Sequence, residues 1–378
     1  MWSTVYGVFA VALLAFVIRS LPRYLYNRAQ RMAWMQCLIK GRWLNTSTEE
    51  HAISERRMLE MVTTPIEQKF VKVGQYQINT IKTGSGDPLV MVHGFGSALG
   101  FWCANIDFLS QYYTVYAIDV LGFGRSSRFD TTNIKTPEQA EEFWVNIMYE
   151  WTEQVGLDNF NLLGHSLGGY LSTCFTLKHP EKVKSLVLAD AWGFAEKPKD
   201  YEQNVSLFFK FLSKVIAPPV PLRLMRKFGP FGQDYIYLFR QDLLNKFHHL
   251  YPEDDLKYNP ERPNRVAEYF YHSNTQEPAS GEYLFSLLAM AYGFAANPLI
   301  NRASMIAPTV DVTLLFGSNT WIDQATGPKL KQEMKNIKDV VIIEDSGHHI
   351  YIDNIHQFNQ AVLKATGYHN DAPAAAQS

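Results

Sequence analysis

The sequence predicts an α/β fold: a mostly parallel central sheet covered by helices on both faces, with a helical block inserted before the last strands. Three observations point to it. Short apolar runs alternate with helix-like stretches from about residue 86 to 190, the signature of strands joined by crossover helices. One of those runs, Phe160-Asn161-Leu162-Leu163, passes through Gly164-His165-Ser166-Leu167-Gly168 into a helical stretch. The alternation then stops near residue 194 and resumes only at residue 311.

The elements follow in chain order. Residues 5 to 18 are uncharged and apolar, and Arg19, Arg23, Arg28 and Arg31 follow them. No basic residue precedes this run and no small-residue cleavage site clearly follows it, which favours a retained anchor over a removed signal peptide. The run is shorter than the roughly 20 apolar residues of a full span, so spanning and shallow insertion both fit. Arginines on its C-terminal side place the rest of the chain in the cytosol. Beyond Pro22, the mixture of Tyr24, Trp34, Met35, Leu38 and Trp43 with basic residues resembles an interfacial helix, whose plainer alternative is a helix packed on the protein's own core. Residues 1–42 are therefore expected to anchor the chain to a membrane or lipid surface, and residues 43–368 to form the folded domain.

Within that domain, KFVKVGQYQINTIKTG gives two strand-like runs around Gly74, and LVMVHGFG gives a fully apolar strand closed by a glycine turn. Then come a strand at YTVYAIDV, a helix near residues 137–155, the FNLL strand, a helix from about Tyr170 to Lys178, and a strand at VKSLVLAD. Residues 194–300 are aromatic, proline-punctuated and largely helical in pattern, and are expected to form a lid over the carboxyl edge of the sheet, where open α/β sheets place their sites. Strands resume at 311–317 and 339–347, a helix closes the fold through FNQAVLKATG, and residues 369–378 read as a disordered tail.

Composition narrows the function. Hydrophobic residues make up 47% of the chain and charged residues 19%, enough apolar surface for a large core. A formal net charge of -2 lacks the basic excess that a nucleic-acid backbone demands. Cys37, Cys103 and Cys174 are odd in number and scattered, which suits a reducing compartment and has no metal-ligand spacing. No cofactor is expected.

The chemistry concentrates at strand ends. Ser166 sits in a strand-turn-helix context that exposes its hydroxyl at a helix N-terminus, where the helix dipole favours a developing oxyanion. The combination predicts an α/β-hydrolase fold; the alternative is a serine that only caps the helix. A hydroxyl needs a base, and His348, directly after the Gly347 turn, is the candidate, with His349 as its neighbouring rival. The base needs an orienting carboxylate. Asp323 supplies the chain order Ser, Asp, His, and Asp190 at the end of VLAD is the alternative acid. In His93-Gly94-Phe95-Gly96 a glycine turn can aim backbone N–H groups inward, so the amides of Phe95 and Leu167 are assigned as oxyanion donors; the alternative for this motif is an ordinary tight turn. His348 through Asp353 also reads as H-x-x-x-x-D, an acyltransferase-like spacing in which Asp353 could equally cap the closing helix.

Several segments outside these general signatures carry a closer likeness. They include Trp43 to Ser47, Leu89 to Gly96, Asp119 to Arg128, Leu162 to Gly169, Trp192-Gly193-Phe194, Lys227 to Gly232, Glu268 to His272 and Gly347 to Asn354. Across roughly residues 43–368 the chain resembles α/β-hydrolase domain-containing proteins four and five, an N-acyl lysophospholipid lipase and its lipase-activating sister. The resemblance implies (lyso)phospholipid or N-acyl lysophospholipid substrates at a membrane or lipid droplet, on the cytoplasmic face of the endoplasmic reticulum or the droplet itself. Its other branch implies acyl-CoA-dependent transfer to lysophosphatidic acid, or activation of a separate triacylglycerol lipase, with that lipase or a droplet-coat protein as partner. The activator branch commonly carries Asn at the position of Ser166, so Ser166 and Thr320-Trp321-Ile322-Asp323 point to the hydrolase branch. Gly347 before the histidine looks like the activator branch instead. The expectation is a serine hydrolase that cleaves lipid acyl esters.

Overall fold

Each apolar run of the core region pairs with its neighbours in one sheet whose strand order is β1-β2-β4-β3-β5-β6-β7-β8. The strands are β1 (Glu67–Val73), β2 (Tyr76–Thr83), β3 (Asp87–Val92), β4 (Tyr113–Ile118), β5 (Phe160–His165), β6 (Val183–Ala189), β7 (Asp311–Gly317) and β8 (Ile337–Ile343). β1 and β2 form an antiparallel hairpin, β2 meets β4 antiparallel, and every later pairing is parallel. The structure is a computed structural model and describes residues 46–205, 220–227, 229, 232–252 and 264–368. The expected anchor at 1–42 and tail at 369–378 lie outside the described residues. Among the described residues no helix is long and apolar enough to cross a membrane.

The central strands owe their place to composition. All six residues of β5 are buried, and β3 is buried from Leu89 to Val92, because helices cover both faces of a parallel sheet and leave no polar side. The helices on those faces begin and end where local chemistry dictates. α1 (Thr48–Leu59) is capped by Ser47, whose hydroxyl accepts from the Glu50 amide; α2 is Cys103–Leu109. In α3 (Pro137–Val155) Thr136 and Gln139 form a reciprocal capping box, Pro137 occupies the first turn, and Gly156 ends the helix left-handed at φ 71°. Its inner face buries Trp144 and Trp151, whose indole N–H groups donate to the Leu121 carbonyl and Thr80 hydroxyl at 2.9 and 3.0 Å.

α4 (Leu167–Lys178) begins three residues before the expected Tyr170. Two glycines hid its first turn, since glycine is a poor helix former. They are there for contact: a Cβ on Gly168 would lie 2.2 Å from the Val92 carbonyl oxygen, and one on Gly169 would lie 2.5 Å from Ala191 Cβ.

Between β6 and β7 the described residues form mainly helices. They are α5 (Tyr201–Asn204), α6 (Val220–Lys227), α7 (Gly232–Phe239), α8 (Gln241–Asn245), α9 (Arg265–Asn274) and α10 (Ser280–Leu288). α1 packs against α9, joined by hydrogen bonds from His51 to Ser273 (3.1 Å) and Thr46 to His272 (3.0 Å). After β7 come α11 (Thr326–Glu333), β8, α12 (Ile350–Asp353) and α13 (Ile355–Ala365).

Candidate active site

The carboxyl ends of β3, β5, β6 and β8 deliver the reactive groups to one edge of the sheet, where open α/β sheets form their crevice. Ser166 leaves β5 at φ 52°, ψ -117° and has no side-chain capping bond. That backbone conformation is costly for a residue with a Cβ. It is held because the Ser166 N–H donates to the Ala189 carbonyl while its own carbonyl accepts from the Tyr170 and Trp192 amides. The hydroxyl is thereby freed from capping and points at an imidazole: Ser166 Oγ lies 2.9 Å from His348 Nε2.

The other side of that imidazole corrects the expected acid. His348 Nδ1 lies 2.6 Å from Asp190 Oδ2, and Asp323 is elsewhere. Asp190 follows β6, is 0% exposed, and also accepts from the Thr320 hydroxyl (2.6 Å) and the Gly317 amide (3.1 Å). The loop after β7 thus supports a carboxylate from the neighbouring strand instead of supplying one. Asp323 is exposed and accepts from the Ala325 amide at 3.0 Å at the entrance to α11. The order Ser, Asp, His survives, with the acid one strand earlier.

His349 makes no such pair. Its ring faces His165 at 5.7 Å and Tyr351 at 6.0 Å, and burial, then the neighbouring histidines, hold it well below its ordinary pKa of 6.5. The same causes keep His165 neutral, so its Nε2–H donates to the His348 carbonyl at 2.8 Å. The residue beside the nucleophile therefore anchors the backbone of the base, a role no sequence pattern flagged.

The oxyanion turn is built by His93. The Val120 amide donates to its Nε2 at 3.0 Å, which leaves Nδ1–H to donate to the Gly94 carbonyl at 2.8 Å. Gly94 passes so close to the nucleophile that a Cβ there would stand 3.0 Å from Ser166 Cβ. Among the described residues the amides of Phe95 and Leu167 have no acceptor, as an oxyanion hole requires before substrate arrives. The Phe95 ring stacks on Phe285 of α10 at 4.2 Å, so the helical insertion fixes this turn too.

Asp353, the last residue of the H-x-x-x-x-D spacing, does not reach the His348 ring. It accepts from the Gly347 amide at 2.9 Å and pairs with Lys246, just after α8. It ties the turn before the base to the helical insertion. Above the triad lies a cavity of about 310 Å³, walled mainly by Phe95, Trp192, Leu222, Phe270, Phe285 and Trp321. Trp321 is 63% exposed and its ring is 4.9 Å from His348.

A serine, an imidazole and a buried carboxylate at the ends of β5, β8 and β6, with a turn of free amides, define a hydrolase of the nucleophile-elbow type. Residues 87–355 match the description of the alpha/beta hydrolase fold, and the chain belongs to that family. It is 36% identical over 326 residues to the (lyso)-N-acylphosphatidylethanolamine lipase of Bos taurus, covering 84% of this chain and 91% of the relative. It is 35% identical over 329 residues to the 1-acylglycerol-3-phosphate O-acyltransferase ABHD5 of Rattus norvegicus, covering 84% and 89%. These are the two branches to which the sequence pointed. Among solved structures, the carboxylesterase CesB of Bacillus subtilis superposes with a TM-score of 0.59 at 17% identity, covering 85% of this chain and 99% of that one. A bacterial membrane phospholipase A gives 0.57 at 20% identity, covering 97% and 99%. At those identities the likeness concerns the fold.

Proposed function

We propose that this chain is a serine hydrolase that cleaves acyl esters of (lyso)phospholipids or N-acyl lysophospholipids, with Ser166 as nucleophile, His348 as base and Asp190 as its orienting acid. The supporting observation is the line from Ser166 Oγ to His348 (2.9 Å) to Asp190 (2.6 Å) at the floor of an apolar cavity. His348 Nε2 takes the hydroxyl proton as Ser166 Oγ attacks the ester carbonyl. Asp190 stabilises the imidazolium, and the amides of Phe95 and Leu167 hold the tetrahedral oxyanion. The imidazolium then protonates the departing glycerol oxygen, leaving an acyl-serine. Water, deprotonated by His348, attacks the acyl-serine; the fatty acid leaves and the proton returns to Ser166.

The curated names of two relatives support a phosphate-bearing acyl lipid as substrate. An alcohol acceptor in place of water would turn the same acyl-serine chemistry into acyl transfer. The basic, aromatic N-terminal segment supports residence on the cytoplasmic face of a membrane or on a lipid droplet, with residues 1–42 as anchor and the insertion between β6 and β7 as lid. Purified protein should react with a fluorophosphonate probe and release fatty acid from 1-acyl lysophospholipids, and Ser166→Ala should abolish both. Fatty-acid release that persists in Ser166→Ala would sink this reading.

A further inference from the structure

Among the described residues that line the active-site cavity, Arg240 alone brings a lysine or arginine cation, and none is a carboxylate. Arg240 precedes α8, and its guanidinium lies 5.8 Å from the centre of the Phe270 ring. Phe270 in turn borders Gly96 in the oxyanion turn. The cation therefore stands over an apolar wall of the same cavity that Ser166 and His348 line.

Its neighbour Lys246 is committed to Asp353, a carboxylate sheltered from solvent. Arg240 is held far more loosely. Its partner is Asp242, bound through Nε at 3.0 Å and Nη2 at 3.1 Å, and the two side chains are 37% and 62% exposed. An ion pair so open to water is readily exchanged for a stronger anion. Among the described residues nothing accepts from Nη1. A guanidinium offers paired N–H donors whose spacing matches two phosphate oxygens, and most of the other described lining residues are apolar or aromatic walls suited to an acyl chain.

We infer that Arg240 is a phosphate subsite of the active-site cavity, which holds the headgroup phosphate of an acylated glycerophosphate and selects such lipids over neutral acylglycerols. The inference rests on the proposed hydrolase reading only for where the ester lies; the anion selectivity can be read without turnover. The test uses the full chain carrying Ser166→Ala, with binding followed by the fluorescence of Trp192 and Trp321 at the cavity. The ligands are 1-oleoyl lysophosphatidic acid, 1-monooleoylglycerol and sn-glycerol 3-phosphate.

Adding Arg240→Gln should weaken lysophosphatidic acid about tenfold or more, the scale of one charge-assisted hydrogen bond, and leave monooleoylglycerol within about twofold. Arg240→Lys should recover part of the loss. Retained monooleoylglycerol binding doubles as the check that the variant is folded. Equal weakening of both lipids, or of neither, overturns the inference. Competition by sn-glycerol 3-phosphate at the affinity of the lipid would also overturn it, because the subsite would then serve soluble phosphate esters. Selective binding with no fatty-acid release by the parent protein would leave the subsite standing and remove the proposed hydrolysis.

Discussion

Replacing Asp190 with asparagine separates the geometry seen here from the one expected from the sequence. The carboxylate accepts from three donors: His348 Nδ1 at 2.6 Å, the Thr320 hydroxyl at 2.6 Å and the Gly317 amide at 3.1 Å. An asparagine that keeps its oxygen toward Gly317 must turn its NH₂ toward His348. The imidazole can face that NH₂ only with Nδ1 unprotonated, so its proton moves to Nε2, where it can no longer accept from Ser166. A wrong-tautomer substitution of this kind costs about 10⁴ in kcat, or roughly 5.5 kcal/mol of transition-state stabilisation. Asp190→Asn should therefore lower both fluorophosphonate labelling and fatty-acid release by about that factor. Asp323→Asn should leave both within about twofold and cost no more than about 1 kcal/mol of stability, as for a lost turn or cap acceptor. A silent Asp323→Asn enzyme beside an Asp190→Asn enzyme within tenfold of the parent would refute the assignment.

Other perturbations follow from the same contacts. His165→Ala removes the donor to the His348 carbonyl, and at about 1–1.5 kcal/mol for one hydrogen bond it should lower kcat roughly tenfold with little change in KM, measured on a soluble ester. Gly168→Ala would force a Cβ to 2.2 Å from the Val92 carbonyl; chemical denaturation should show a loss of about 1–3 kcal/mol or more, and an unchanged midpoint would count against that packing. Lys246→Ala leaves Asp353 sheltered without its cation, so denaturation should show a loss of about 1–3 kcal/mol, and Lys246→Arg should recover most of it.

Glu55 gives a pH dependence. Burial, with repulsion from Asp119, pushes its carboxyl from 4.5 up to about 7, against the opposing pull of Arg125. The folded state holds this proton more tightly than the unfolded chain, so the contribution is complete below about pH 4.5 and is lost as pH rises through about 7. Urea midpoints should therefore fall between pH 5 and 8 in the parent and fall less in Glu55→Gln; parallel profiles would exclude this carboxyl as the cause.

What could be read from the residues alone divides along physical lines. Ser166 and β5 were legible because a strand, a turn and a helix in eight or so consecutive residues report on one another locally. α3 was legible to both ends because its proline, capping box and terminal glycine are local signals. The start of α4 was not, since Gly168 and Gly169 serve contacts with β3 and the Ala191 turn that are distant in sequence. The acid was misplaced for a related reason. Asp323 and Asp190 both follow a strand, and only the sheet decides that Asp190, turned at φ 46°, faces the imidazole while the loop carrying Asp323 supports it from behind with Thr320 and Gly317. A threonine three residues after the β7 glycine was the available hint. Arg240 was invisible as a site residue because nothing local distinguishes it from the other arginines between β6 and β7.

The carboxylate of Asp353 grips the Gly347 amide with one oxygen and the Lys246 ammonium with the other. The first lies immediately before His348 and the second just after α8, so one carboxylate ties the turn of the imidazole to the segment between β6 and β7. A strain on the segment after α8 is therefore felt one residue from the imidazole.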